Sequence, residues 1–194
     1  VDEESTSAQG RINAYLNKTR QVSNLVKGEI DKNKKSPMYG LQTSPKLQTI
    51  VSKVVSGEKP SIVYSNFLSS GLYPLAKMLD VSKIKYRIFT GEVKTDEKKQ
   101  IIEDYNKRKF DVLLVSSSGS EGLDLKRTRQ IHIMEPHWNE AKVQQVIGRG
   151  IRYQSHSDLP PEERKVDVYY WYSVYSDNES LSADKYLIDI GSQK

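Results

Sequence analysis

DVLLVSSSGSEGLDL, residues 111–125, is the stretch whose reading decides the fold. Four consecutive apolar residues, Val112 to Val115, are bounded by Asp111 and by small polar residues, and a short run of that kind reads as a strand buried on both faces. Directly behind it stand Ser116, Ser117, Ser118, Gly119, Ser120, Glu121 and Gly122. Hydroxyls and backbone N–H groups at a strand's carboxyl end can serve a phosphate, although Ser and Gly also dominate ordinary loops. Asp124 lies between Leu123 and Leu125, and a carboxylate among apolar neighbours needs a capping N–H or a ligand hydroxyl.

Outward from this stretch the same strand signal recurs. SIVYSNF (61–67), YRIF (86–89), QIHIME (130–135) and VDVYYWYSV (166–174) read as strands, the last rich in aromatic and β-branched residues. Helical spacing lies between and around them. Leu47, Ile50, Val51, Val54 and Val55 follow Ser44 as N-cap and Pro45 at the first helical position, with Gly57 as the stop. A second helix runs through Leu72, Leu75, Ala76 and Leu79. A third, capped by Thr95-Asp96, carries Ile101, Ile102 and Tyr105 on one face, and a fourth covers Asn139 to Gly150. Strands alternating with such helices imply an α/β fold, a parallel sheet with right-handed crossovers whose ligands gather outside the carboxyl ends of the strands. The expected organisation is a polar and helical arm and linker over residues 1–43, one domain over 44–175, and a tail over 176–194 leading to a further C-terminal part.

Composition narrows the chemistry. The 194 residues suit one domain with extensions. A net charge of +5, with 25 acidic residues interspersed among 30 basic ones, permits a nucleic-acid partner. The absence of cysteine removes disulfides, thiolate metal sites and cysteine nucleophiles. His132, His137 and His156 lack the spacing of a metal site or a catalytic triad, so no metal ligands are assigned. No apolar run reaches membrane-spanning length, and the expectation is a soluble, intracellular protein without a membrane partner.

The second chemical stretch is QQVIGRGIR, Gln144 to Arg152. Helical spacing gathers Gln145, Arg149 and Arg152 toward one side and end of a helix, and Gly148 and Gly150 leave room for another surface. Two arginines three residues apart form a cationic fork matched to phosphate oxygens; an isolated G-R-x-x-R reads first as a solvated basic turn, and its place late in an α/β sheet beside the 116–125 stretch turns the reading toward phosphate. Trp138 either packs at its strand-to-helix corner or stacks on a base. Tyr169 to Tyr172 alternate faces, so two of the four belong to the core and two to an edge or interface.

Taken in order, IVYSNF (62–67), IFTGEVKTDEKKQIIEDYN (88–106), DVLLVSSSGSEGLDL (111–125) and QQVIGRGIR (144–152) resemble motifs IV, IVa, V and VI of superfamily 2 helicases. The resemblance covers roughly residues 44–175 and implies a RecA-like parallel sheet flanked by helices, the C-terminal lobe of such a motor. TSPKLQTIV, EPHWNEAKVQQVIGR and RYQSHSDLPPEERKVDVYYWYSV are similar to the Snf-like ATPases of large cytoplasmic DNA viruses. Poxvirus nucleoside triphosphate phosphohydrolase I and the small subunit of the poxvirus early transcription factor are the types of that branch.

The resemblance also implies roles. Arg149 and Arg152 fall on the two arginines that reach the γ-phosphate across the interlobe cleft, and Gln145 falls on the position coupling that cleft to the nucleic-acid track. Gly122 and Asp124 match the residues near the nucleotide ribose. Ser116 stands where a Thr or Ser touches a phosphate of the bound strand, with Ser65, Asn66, Thr90 and Gly91 in comparable loops; Asn66 and Thr90 are equally readable as caps. Glu97-Lys98 replaces the usual E-R pair and loses its planar fork. Neither a G-x-x-x-x-G-K-[ST] loop nor a magnesium-holding acidic pair is present, so ATP and Mg²⁺ are expected mainly on a preceding N-terminal RecA-like lobe, and this segment alone is expected to be inactive. The implied protein is a nucleic-acid-dependent ATPase, on DNA more than RNA, with RNA polymerase or transcription factors as partners and, if viral, a place in virion and host cytoplasm. The alternative is a non-catalytic nucleic-acid-binding or docking module of a transcription complex.

Overall fold

Five parallel strands form one sheet in the order β2-β3-β1-β4-β5: β1 (Ser61–Ser65), β2 (Tyr86–Phe89), β3 (Val112–Ser116), β4 (Gln130–Ile133) and β5 (Asp167–Tyr170). The computed structural model describes residues 14–25, 30–119, 123–136, 140–151, 155–174, 182 and 184–186. Residues 14–24 are helical (α1), followed by α2 (Pro45–Ser56), a wide π-helical turn (Leu68–Leu72) running into α3 (Tyr73–Val81), then α4 (Thr95–Asn106) and α5 (Glu140–Gly150).

The sheet is covered on both faces, which is why β1, β3 and β4 are buried along their whole length. Leu47 and Ile50 of α2 and Leu75 and Met78 of α3 pack with Val63, Val112 and Leu114. Ile101 and Tyr105 of α4 and Val143 and Val146 of α5 pack with Ile62, Leu113, Val115 and Ile131 on the opposite face. Period-2 alternation of the strands sorts these two sets.

Local signals explain most element ends. Ser44 Oγ accepts from the Leu47 N–H at 3.1 Å and Pro45 opens α2. Gly57 ends α2 with ordinary φ of −91°, so its use is spatial: a Cβ there would collide with the Gln130 side chain. Thr95 is the first residue of α4 rather than its cap; Lys94 precedes it without a side-chain bond, and Asp96 and Glu97 in the first turn complement the helix dipole. The last strand divides as expected, with Tyr169 and Trp171 half-buried and Tyr170 and Tyr172 exposed.

Residues near both ends of the described chain pack against the sheet's helices. Arg20 and Asn24 of α1 are buried and Leu25 joins the α2–α3 core. The buried Asp184 Oδ2 accepts from Ser23 Oγ at 3.1 Å, Lys46 Nζ at 3.1 Å and the Ser173 N–H at 2.8 Å, tying residue 184 to α1, α2 and the chain after β5. Among the described residues no helix is long and apolar enough to cross a membrane.

Candidate functional site at the carboxyl ends of the strands

Chain direction reverses around the β1–β4 pair: the connection leaving β1 runs toward β2, the one leaving β4 toward β5. Such a switch point opens a crevice at the carboxyl ends of the strands. Ser65 and Asn66 leave β1 there and Glu135 follows β4. Ser65 is fully buried and its Oγ lies 2.6 Å from Glu135 Oε1 while accepting from the Phe67 N–H at 3.1 Å. A Cβ on Gly71 would collide with that hydroxyl, so the glycine lets the π-helical turn close over it. Asn66 is half-buried; its N–H donates to Glu135 Oε2 at 3.0 Å and its Oδ1 accepts from Tyr64 at 3.2 Å. Burial and the Glu135 charge together push the Tyr64 hydroxyl up to about 12, so it remains a donor.

The loops after β2 and β3 are joined in the same way. Thr90 is buried and its Oγ1 accepts from the Glu92 N–H at 3.3 Å, a local cap. The exposed Gly91 donates its N–H to Ser118 Oγ at 3.2 Å. Ser118 Oγ lies 3.0 Å from Ser116 Oγ, which accepts from the Gly119 N–H at 3.2 Å. A Cβ on Gly119 would strike the Phe89 carbonyl, so the glycine is what brings the two loops together. The Lys98 ammonium lies 5.6 Å from the Phe89 ring centroid, beside this pair of loops. Ser65, Thr90 and Ser116 thus shape the loops with their hydroxyls, and Asn66 and Gly91 are the more open positions.

A second group lies on the segment returning from β3 to β4 and on α5. Leu123 and Leu125 are fully buried while Asp124 between them is exposed. Alternation along an extended segment sends the two leucines inward and turns the Asp124 carboxylate outward. Arg149 is half-buried on α5 with Nη1 3.5 Å from the Leu123 carbonyl, which brings it beside Asp124. Gln145, one turn earlier, is exposed. The two glycines of the helix differ. A Cβ on Gly150 would crowd Ile131 and Ile62 of the sheet, so its space is used by this domain's own packing, whereas a Cβ on Gly148 would meet nothing within 4 Å among the described residues. Arg152, Gly122, Glu121 and Trp138 lie outside the described residues.

Other conspicuous residues are structural. His132 is buried in a column with Tyr169 at 4.9 Å and Trp171 at 6.0 Å between ring centroids. Trp171 Nε1 donates to His132 Nδ1 at 3.0 Å, so Nε2 carries the proton toward Gln130 Oε1 at 3.2 Å. His156 is buried beside Ser155 and the Thr128 carbonyl. Sequence reading passed over Glu135, for which an acid closing a strand and followed by proline was the available signal, and took Ser118 only as one hydroxyl of the loop after β3.

The helicase conserved C-terminal domain matches residues 45–154. A protein of Acanthamoeba polyphaga mimivirus named as an ATP-dependent RNA helicase, L538, is 48% identical over 183 residues, covering 94% of this chain and 38% of that protein. The African swine fever virus protein named as a termination factor NPH-I homolog is 28% identical over 184 residues, covering 68% of this chain and 26% of its own. The chain therefore spans well under half the length of these relatives. The C-terminal part of the Fun30 ATPase domain superposes with a TM-score of 0.59 over 75% of this chain and 43% of its own, at 15% identity, a likeness of fold.

Proposed function

Because the chain belongs to the helicase conserved C-terminal domain family and has a RecA-like fold, we propose that it is the second motor lobe of a viral ATP-dependent nucleic-acid helicase or translocase. The observation that carries the reading is the pairing of Arg149 with the Leu123–Asp124 segment, with Asn66 and Gly91 on the loops that follow β1 and β2. One surface suits a nucleotide and another a nucleic-acid backbone. On this reading ATP and Mg²⁺ sit mainly on a preceding lobe, with residues 44–175 as the partner lobe between its flanking segments. Arg149 and Arg152 stabilise charge on the transferring phosphoryl group, Gln145 couples the cleft to the track, and Gly122 and Asp124 lie near the ribose. The loops of Ser65, Asn66, Thr90, Gly91 and Ser116 hold the strand through its backbone, so binding weakens steeply with salt.

The context proposed is viral transcription in virion or host cytoplasm, with RNA polymerase or its factors as neighbours and DNA preferred to RNA. The relatives' names support a nucleic-acid partner and a transcription context, one naming an RNA helicase and one a termination factor. The test is ATP turnover by the complete protein, with duplex DNA, with RNA and with neither, for wild type, Arg149→Ala and Arg152→Ala. Loss of roughly a thousandfold or more in stimulated turnover, with ATP binding retained, is the expected result. Unchanged turnover in both variants overturns the arginine assignment and favours a docking module.

A further inference from the structure

Glu135 follows β4 at the switch point and is fully buried. Its carboxylate accepts from two places in the chain. Ser65 Oγ at 2.6 Å and Asn24 Nδ2 at 2.5 Å meet Oε1, while the Asn66 N–H at 3.0 Å and its Nδ2 at 3.4 Å meet Oε2. Charge-assisted bonds of this kind keep a buried carboxylate tolerable, and removing a donor leaves it under-solvated. Ser65 ends β1 and Asn66 begins the loop after it; Asn24 belongs to α1, 111 positions from Glu135.

One turn earlier on α1, Arg20 reaches the same place. Its Nη2 donates to the Pro136 carbonyl at 2.5 Å and its guanidinium lies 5.3 Å from the Phe67 ring centroid. Burial pulls the Arg20 pKa down, and the charges of Glu135 and Asp184 push it back up. α1 therefore supplies both a donor to the Glu135 carboxylate and a positive charge that offsets it. The end of α1 is fixed in turn, because the Asn24 carbonyl accepts from Ser44 Oγ at 2.6 Å, the hydroxyl that caps α2.

We infer that α1 is a positioning element of the nucleic-acid loop: through Glu135, Asn24 and Arg20 set the orientation of residues 65–67 and mask a carboxylate that would otherwise repel a phosphodiester backbone. The inference rests on the reading that this loop meets nucleic acid. With α1 docked, the negative charge beneath the loop is covered; with α1 released, the loop loses a support and gains a repulsive charge at the same moment. Binding of nucleic acid and docking of α1 thereby favour each other, a linkage that runs equally in both directions.

Asn24→Asp in the complete protein sets a second carboxylate against Glu135 and should expel α1. Three quantities are read: amide hydrogen exchange over residues 14–24 and 65–67, the Kd for a short fluorescein-labelled DNA duplex, and the Kd for ATP. The expected result is faster exchange in both segments and duplex binding weakened by about tenfold, with ATP affinity unchanged. Asn24→Asp combined with Glu135→Gln should restore loop protection and duplex affinity, because the new amide donates to the new carboxylate and its oxygen still accepts from the Asn66 N–H. Ser65 then turns its proton to the Phe67 carbonyl, 3.1 Å away. A purely structural defect would not be rescued by that exchange of donor and acceptor. Faster exchange in α1 with unchanged loop exchange and unchanged duplex affinity overturns the inference, as does failure of the double variant to restore them. If Asn66→Ala weakens duplex binding and Asn24→Asp does not, the inference falls and the nucleic-acid reading stands. Wild-type protein that binds no nucleic acid overturns that reading and the inference with it.

Discussion

Acidification should destabilise this domain through His132. Its ring nitrogens are both committed in the neutral state, Nδ1 as acceptor from Trp171 and Nε2 as donor to Gln130. Burial, with a smaller contribution from the Lys53 charge, pushes its pKa from 6.5 down to about 4. Between those values the unfolded chain binds a proton that the folded chain refuses. Stability from this residue is therefore complete above about pH 6.5, falls as the pH falls, and is lost by about pH 4. At roughly 1.4 kcal/mol per pH unit the whole shift corresponds to about 3 kcal/mol, of which about 2 kcal/mol should be gone at roughly pH 5, where ordinary carboxylates still contribute little. Urea unfolding followed at several pH values measures it, with His132→Asn as the comparison. Asparagine keeps an acceptor for Trp171 and cannot titrate in this range, so this variant should be weaker at neutral pH yet lack the slope between about pH 6.5 and 5. An equal slope in wild type and His132→Asn would refute the assignment, as would an NMR tautomer with the proton on Nδ1.

Four further outcomes follow from packing and hydrogen bonding. Ser44→Ala removes both the α2 cap and the bond to the Asn24 carbonyl and should cost about 1–2 kcal/mol in chemical denaturation. Gly150→Ala should destabilise by about 1–3 kcal/mol because its Cβ meets Ile131 and Ile62, whereas Gly148→Ala should leave stability unchanged or raise it by roughly 0.5–1 kcal/mol while slowing ATP turnover of the complete protein, if that open face meets another lobe. Tyr105→Phe strips the buried Thr128 hydroxyl of its 2.9 Å partner, and a loss of about 1–3 kcal/mol in thermal unfolding is expected.

Much of the sheet was legible because strands covered on both faces read as continuous apolar runs: residues 62–64 and 112–115 announce themselves, and their two-residue period sorts the two cores. QIHI carried the same signal despite Gln130 and His132, since its polar side chains satisfy one another out of sight. The positions of Asn66, Gly91 and Arg149 at strand ends and on the last helix followed from motif order. What sequence could not reveal was pairing across distance. Glu135 and Asn24 stand 111 residues apart, and no local rule joins them. The outward face of Asp124 was hidden for a related reason: flanking leucines say nothing about which way an extended residue faces until the sheet beneath it is known. Gly148 and Gly150 look equivalent in sequence, yet a Cβ on Gly150 would strike Ile131 while one on Gly148 would meet none of the described residues.

The hydrogen bonds gathered by the Asp184 carboxylate have a mechanical side. Residues 23, 46, 173 and 184 meet at one carboxylate oxygen, so the two flanks of the chain are gathered at a single spot. Tension applied between residues 14 and 186 would load that polar knot together with the contacts of Arg20 and Asn24 to Pro136 and Glu135. A handful of hydrogen bonds then acts as a fuse, yielding at modest force and letting the flanks swing apart while the five-stranded sheet behind them keeps its shape.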